Sequence, residues 1–390
     1  MQHPHWRLVG PSAAMLAVTV ALAVSGCARG AASTGVPPAS AGTGPVARAA
    51  PAVTEAQARR AFDRYVAVSS QASWPDQASA SSVLTGVERA VVGASRASSG
   101  VVLQEGSDAT GSRAYSSSLS IDLPGGVSYA YRSPAYFIPE QAGYPKFFAA
   151  YTTRTIKGLS AADGMSVWAG GVKVPADGPV LMLFSQESAS APWKLASTSR
   201  LTAGATMPAL ARDASGAVPR VALSAPGLLI SPRDAGALQA AVVDDGPASA
   251  ASRVVAAGPL TTGLYQGARS DMGLVVPRGD VYQWTLEGST LPAFALRTAD
   301  GGALVFYSMT LNTTVAVPDV INKADPVHPG RPIQVPLALL PLLPPGTSAT
   351  PREQLQSVET LSFTAVDPPA GHGKLQVVAI GGGLTSASAS

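Results

Sequence analysis

Apolar positions fall into a helical period in one early stretch and into alternation over most of the later chain. In TEAQARRAFDRYVAVSSQA, residues 54 to 72, Ala58, Phe62, Tyr65 and Val66 recur at the spacing that gives a helix one apolar face. Thr54 can accept from the N–H groups of the first turn, Gln57 stands at the capping-box position, and Trp74-Pro75 ends the element. Strand-like runs come next: residues 115 to 123, a Pro-Gly-Gly turn, residues 127 to 131, then YFIPEQAGYPKFFAAYTTR. VLMLFSQESASAPWKLASTSRL reads as a hairpin, two runs joined by SASAP.

The order of signals then repeats. SPRDAGALQAAVV offers Ser231 as a helix cap, Pro232 at the first helical position and Asp234 three residues from the cap, and AASRVVAAG, residues 250 to 258, continues helix-like. Strands return in VYQWTLEG, in PAFALRTADGGALVFYSMTL with its DGG turn, and in ETLSFTAVDPPAGHGKLQVVAIGGGL. Lys194-Leu195 falls 180 residues before Lys374-Leu375, and the caps Thr54 and Ser231 are 177 apart. Two landmarks of different kind share nearly one period, which predicts two copies of one unit joined near AGATMPALARDASGAVPR.

The expected fold class is therefore α+β, with two tandem domains of helix and antiparallel sheet over 52–205 and 226–385. A linker is expected over 206–225 and a frayed tail over 386–390. A helix laid across a curved antiparallel sheet resembles the cystatin or nuclear-transport-factor-like fold. That likeness implies a cone-shaped interior able to hold a small molecule and gives no residue a role.

Ahead of the first helix the pattern is of another kind. A polar start, MQHPHWR, carries Arg7; an apolar run covers residues 13 to 24; and Val24, Ser25 and Gly26 lead straight into Cys27. This is the three-part form of an export signal, with an apolar core about half as long as a membrane span requires. Small residues running into the chain's one cysteine resemble the lipobox of bacterial lipoproteins. The resemblance implies that residues 1–26 are removed with His3 and His5, that Cys27 carries a diacylglyceryl group, and that the body is tethered outside the cell membrane by acyl chains. Residues 28–51, rich in Ala, Gly, Ser, Thr and Pro, read as a flexible stalk with a reach of about 25 to 30 Å.

Composition removes some classes. Lysine and arginine number 27 against 24 aspartates and glutamates, a formal net charge of +3, and the basic residues are scattered. That excludes the concentrated basic footprint that nucleic acid demands. With one cysteine no internal disulfide can form.

Three segments, TEAQARRAFDRYVAVSSQAS, YAYRSPAYFIPEQAGYPKFFAAYT and LMLFSQESASAPWKLAS, resemble a family of uncharacterised actinobacterial lipoproteins and membrane proteins, a domain of unknown function. The likeness rests on a helix with a central Tyr, a Tyr-Pro-(Lys/Arg)-(Phe/Trp)-Phe pattern from Tyr144 to Phe148, and a hairpin carrying Phe184, Trp193 and Leu195. It covers residues 54 to 200 best, implies location and architecture, and supplies no catalytic residue. Ser69-Ser70 depart from the asparagines of the family pattern.

Candidate chemistry is sparse. No G-x-S-x-G elbow is present, and His328 in DPVHPGRP and His372 in PPAGHGK read as exposed loop histidines. Asp244-Asp245 before Gly246-Pro247 read as a solvated helix end, and no metal-binding spacing or cofactor motif occurs. The glycine clusters at 125–126, 170–171, 301–302 and 381–383 read as turn markers. One feature stands out: Tyr129, Tyr131, Tyr136, Phe137, Tyr144, Phe147, Phe148 and Tyr151, concentrated in a chain only 6% aromatic. Tyr129 and Tyr131 share a strand face, and residues 136 to 151 are expected to cross the sheet opening as a lid. Tyr129, Tyr131, Tyr136, Phe137, Tyr144 and Phe148 are the candidate ligand-binding residues, set against a plain role as core. The resulting expectation is a lipid-anchored, non-enzymatic envelope protein that binds a protein, a wall polymer or a small apolar ligand. A lipid or apolar-ligand carrier and an envelope hydrolase are the alternatives.

Overall fold

A computed structural model describes residues 50–69, 77–98, 129–156, 166–169, 172–175, 177–275, 280–318, 332–336, 339–348 and 350–390. Cys27, the stalk up to residue 49, the run 115–123, two of the glycine clusters and His328 lie outside the described residues, while the stalk's last residue, Pro51, bridges to Glu140. The first half opens with α1 (Glu55–Ser69), α2 (Gln77–Val83) and α3 (Gly86–Ser98). It continues with β1 (Tyr129–Phe137), β2 (Lys146–Ile156), a small hairpin of β3 (Ser166–Ala169) and β4 (Val172–Pro175), β5 (Gly178–Gln186) and β6 (Lys194–Leu201). The second half holds α4 (Ala235–Asp245), α5 (Thr262–Val275), β7 (Val281–Gly288), β8 (Phe294–Arg297), β9 (Ala303–Ala316), β10 (Gln354–Asp367) and β11 (Gln376–Ala389).

The capping box forms as its residues dictate: the Thr54 N–H donates to Gln57 Oε1 at 2.9 Å and the Gln57 N–H to Thr54 Oγ1 at 3.2 Å. Ala58, Phe62 and Tyr65 of α1 are buried and Val66 is half-buried. In the second half Ser231 does not cap. Its Oγ donates to the Leu223 carbonyl at 2.6 Å, a 3-10 turn occupies Pro232–Asp234, and α4 starts only at Ala235. The helix expected over 250–258 is one 3-10 turn, Ala250–Arg253, followed by chain that bridges from Val255 to Leu375, just before β11. Helices α2, α3 and α5 are not announced by the pattern; α5 carries three glycines, which weaken the helical signal.

Both halves build one nine-stranded antiparallel sheet in the order β1-β2-β5-β6-β11-β10-β9-β7, with β8 also on β9. Each half is thus a meander, and the last strand of each, β6 and β11, meet at the seam through Arg200↔Ile380 and Leu201↔Ala379. Side chains alternate between two faces. Phe148, Met182 and Phe184 pack with Phe62 and Tyr65 of α1, and Tyr307, Met309 and Phe363 pack with Val242 and Val243 of α4. The other face joins Phe147 and Leu181 of the first half to Phe294, Leu304 and Val378 of the second. The expected linker closes over that face: Val218 is buried in it, and Leu210 and Arg220 bridge to Thr298 and Leu296.

Two contacts recur across the halves. Leu84 forms a parallel bridge with Leu195, and Val255 forms one with Leu375; the Thr85 N–H donates to the Leu195 carbonyl and the Ala256 N–H to that of Leu375, both at 2.8 Å. Lys194 Nζ donates to the Ser81 carbonyl and Lys374 Nζ to that of Ser252, both at 2.7 Å.

Two readings of the C-terminal segment are corrected. Gly381–Gly383 are not a turn; they lie inside β11, where a Cβ on Gly381 would stand 1.7 Å from the Thr198 carbonyl oxygen of β6. The last residues do not fray: Leu355 pairs with Ala389, and the Ser390 carbonyl accepts from the N–H groups of Arg352, Glu353 and Gln354. Residues 136 to 151 form no lid; they are the end of β1, the connecting loop and the start of β2.

Candidate functional site

Strand register brings together what the linear pattern separates. Arg154 on β2 stands opposite Tyr131 on β1 and Gly178 on β5, and Arg200 on β6 stands opposite Val180 on β5. Thr198 pairs with Met182, so Arg154, Arg200, Thr198 and Tyr131 share the face on which α1 and α3 lie. Gly86 starts α3 at φ 54°, and a Cβ there would come within 2.9 Å of the Ala196 carbonyl oxygen. Only glycine lets the helix sit that close to β6. This seating delivers Glu88 onto Thr198, whose hydroxyl and N–H both donate to its carboxylate.

The result is a partly exposed cluster with buried charge at its base. Arg154 is 6% exposed, and its guanidinium lies 4.4 Å above the Tyr129 ring. The hydroxyls of Tyr131 and Tyr65 are 3.2 Å apart. Glu88, Arg200, Tyr129 and Tyr131 are half-buried and keep contact with solvent. Arg154 Nε and Nη2 and Arg200 Nε are buried without a hydrogen-bond partner.

Electrostatics follow from that burial. Arg200 is pushed down to about 9, first by burial and then by the charge of Arg154. Burial raises the Glu88 carboxyl against the opposing pull of Thr198 and Arg154, and raises both Tyr65 and Tyr131. For Arg154 burial works downward, but Tyr129, Tyr131, Tyr65 and Glu88 outweigh it and the net direction is up. Tyr65 and Tyr131, both shifted upward, carry no charge at neutral pH. Among the described residues, Glu88 is then the single carboxylate that acts on both guanidiniums.

The aromatic candidates divide by position. Tyr129 and Tyr131 belong to the charged cluster. Phe148 is fully buried and stacks on Phe184 with centroids 4.8 Å apart, and Tyr136 packs edge-on to Phe62 and Phe148. Phe137 turns to the opposite face beneath Arg212, at 5.9 Å. Tyr144 is 44% exposed in the loop before β2, with Lys146 Nζ 5.5 Å from its ring centroid. The structure therefore does not unite all six in one site. His372 is exposed in the β10–β11 turn. Asp244 ties α4 to β7, accepting the Leu286 N–H at 3.2 Å, and burial raises its carboxyl.

Among the described residues no group of three or more His, Cys, Asp or Glu side chains could hold a metal ion, and no helix is long and apolar enough to cross a membrane. Sequence reasoning missed Arg154, Arg200 and Glu88. The signal was present: in KFFAAYTTRTI, Arg154 continues the inward face of Phe148, Ala150 and Thr152, and a charge on an apolar face calls for a partner.

The fold and this cluster define a mixed α+β protein in which two meanders form one antiparallel sheet beneath helices. The chain belongs to the domain-of-unknown-function family DUF8094, whose model matches residues 49–389. No curated protein and no solved structure matches it.

Proposed function

We propose that the protein is a lipid-anchored, non-enzymatic binding module of the cell envelope, held through Cys27 and binding at the charged cluster beneath α1 and α3. The observation that carries the binding reading is Arg154, buried with guanidinium nitrogens that no described group satisfies, in a cluster whose other members Glu88, Arg200, Tyr129 and Tyr131 are half-buried. Buried donors left unpaired are costly unless something else pairs them. The anchoring reading rests on the apolar run and small residues that lead into Cys27. The halves are read as copies of one unit, because the paired lysine contacts and parallel bridges recur at the landmarks that recur in sequence.

Two measurements on the mature protein from its own membranes test this. Mass analysis should find an acylated Cys27 at the N-terminus; an unmodified peptide spanning residues 20 to 40 overturns the anchor. Native mass spectrometry in detergent should find a discrete excess over the denatured mass. Native and denatured masses that agree, together with no ligand-induced rise in melting temperature, overturn the binding reading.

A further inference from the structure

We propose that the cluster is a built oxyanion site, in which a carboxylate or phosphate group of the ligand lies between the guanidiniums of Arg154 and Arg200. The inference rests on the binding reading above and names its chemistry. Among the described residues one carboxylate, Glu88, acts on both guanidiniums, and an arginine cannot shed its charge at neutral pH. A buried surplus charge is unfavourable unless an opposite charge joins it. The unpaired nitrogens belong to the two arginines and to no other residue of the cluster.

Geometry adds room and direction. Gly178, opposite Arg154, has no side chain, and a Cβ there would meet nothing within 4 Å. Among the described residues no side chain therefore fills that position on β5, the strand that lies between Arg154 on β2 and Arg200 on β6. Planar forks of this kind match carboxylate and phosphate oxygens. Tyr65 and Tyr131 add hydroxyls, and the Tyr129 ring holds Arg154 from one side. The titratable groups facing the site are Glu88 from α3, Tyr65 from α1, and Tyr129, Tyr131, Arg154 and Arg200 from the sheet.

The charge count predicts effects of opposite sign. R200M leaves one arginine facing Glu88, so the unliganded protein should melt no lower than wild type while oxyanion affinity falls roughly 10- to 100-fold. E88Q enlarges the surplus and should bind more tightly while melting lower without ligand. R200K keeps the charge, loses the fork, and should bind with intermediate affinity. R212M, on the opposite face, should bind like wild type.

The experiment is calorimetric titration and thermal melting of the full mature protein with inorganic phosphate and, separately, benzoate, at constant ionic strength with chloride as reference. Saturable binding of either supports the proposal. Binding of phosphate alone assigns a phosphate-bearing ligand, and binding of benzoate alone a carboxylate. The proposal is overturned if neither binds, if R200M binds as wild type, or if R200M lowers the unliganded melting temperature as loss of a structural contact would. A retained native mass that persists unchanged in R200M overturns the oxyanion site and leaves the binding reading standing.

Discussion

The two halves bury polar groups under their helices in different ways. In the second half the Tyr307 hydroxyl donates to Gln239 Oε1 at 2.8 Å, and Gln239 Nε2 donates to the Leu260 carbonyl at 2.8 Å. That chain of hydrogen bonds is neutral and closed, although Asp367, elsewhere in the second half, is buried with both oxygens unsatisfied. In the first half the corresponding space beneath the helices holds Arg154, Arg200 and Glu88, with buried nitrogens left open. A closed neutral network specifies packing, whereas an open charged one asks for a further group. The sheet and its covering helices therefore hold a hydrogen-bonded core in one half and the candidate site in the other.

The harshest test of that comparison is the seam, because both halves depend on it. A methyl on Gly381 would collide with the Thr198 carbonyl, and Ser362 Oγ, which donates to that carbonyl at 3.1 Å, is also in the way. G381A should cost at least about 3 kcal/mol, since backbone cannot yield as a flexible side chain can. Urea unfolding would measure the loss. Hydrogen exchange should show β1–β2 and β7–β9 losing protection together; a loss confined to one half would break the view that they stand as one sheet.

The next effect separates the closed network of one half from the candidate site of the other. Burial pushes the Tyr307 hydroxyl strongly upward, so it remains a donor at any ordinary pH. Y307F strands the buried Gln239 oxygen and should cost about 1–3 kcal/mol, lowering the melting temperature. R200M, in the other half, is expected not to lower it. If both variants destabilise alike, the first-half cluster is as closed as the second and the contrast fails.

How much of this was legible depended on whether the signal was local. The capping box at Thr54 and Gln57 and the β5–β6 hairpin could be read because each is a short pattern with a local cause. The single sheet could not, because the pairing of Arg200 with Ile380 joins residues far apart in the chain. Gly381–Gly383 were misread for the same reason: the atom that forbids a side chain belongs to Thr198. The candidate site was half legible. Tyr129 and Tyr131 announced themselves by type, while Arg154 and Arg200 needed strand register to be seen as neighbours on one face.

A buried carboxyl in the second half gives a pH test. Asp367 is fully buried; neither oxygen has a hydrogen bond of normal geometry, although the Ile230 N–H stands near enough to oppose the shift. Burial pushes its carboxyl up to about 7, from about 3.9 in an unfolded chain. The folded state then holds a proton that the unfolded state has released, so stability falls as pH rises from about 4 to about 7. D367N should flatten that fall and gain about 1–2 kcal/mol at pH 7.5 relative to wild type. Melting temperatures from pH 4.5 to 8 measure it, and parallel curves would refute it. Glu88 is shifted the same way but has Thr198 and Arg154 to hold its charge, so E88Q should change the slope less.

The smallest difference lies at the helix starts. α1 has reciprocal hydrogen bonds between Thr54 and Gln57, whereas α4 begins behind a 3-10 turn with no side-chain cap. T54A should therefore cost about 1 kcal/mol and act locally, speeding amide exchange in the first turn of α1 while α4 is untouched. S231A removes a bond to the Leu223 carbonyl instead, and should loosen residues 223 to 231 without fraying α4. If S231A frays α4 as T54A frays α1, the serine works as a cap in solution and the two helix starts are equivalent. If it does not, the halves share a sequence landmark at this point but use it for different bonds, just as they bury polar groups in different ways.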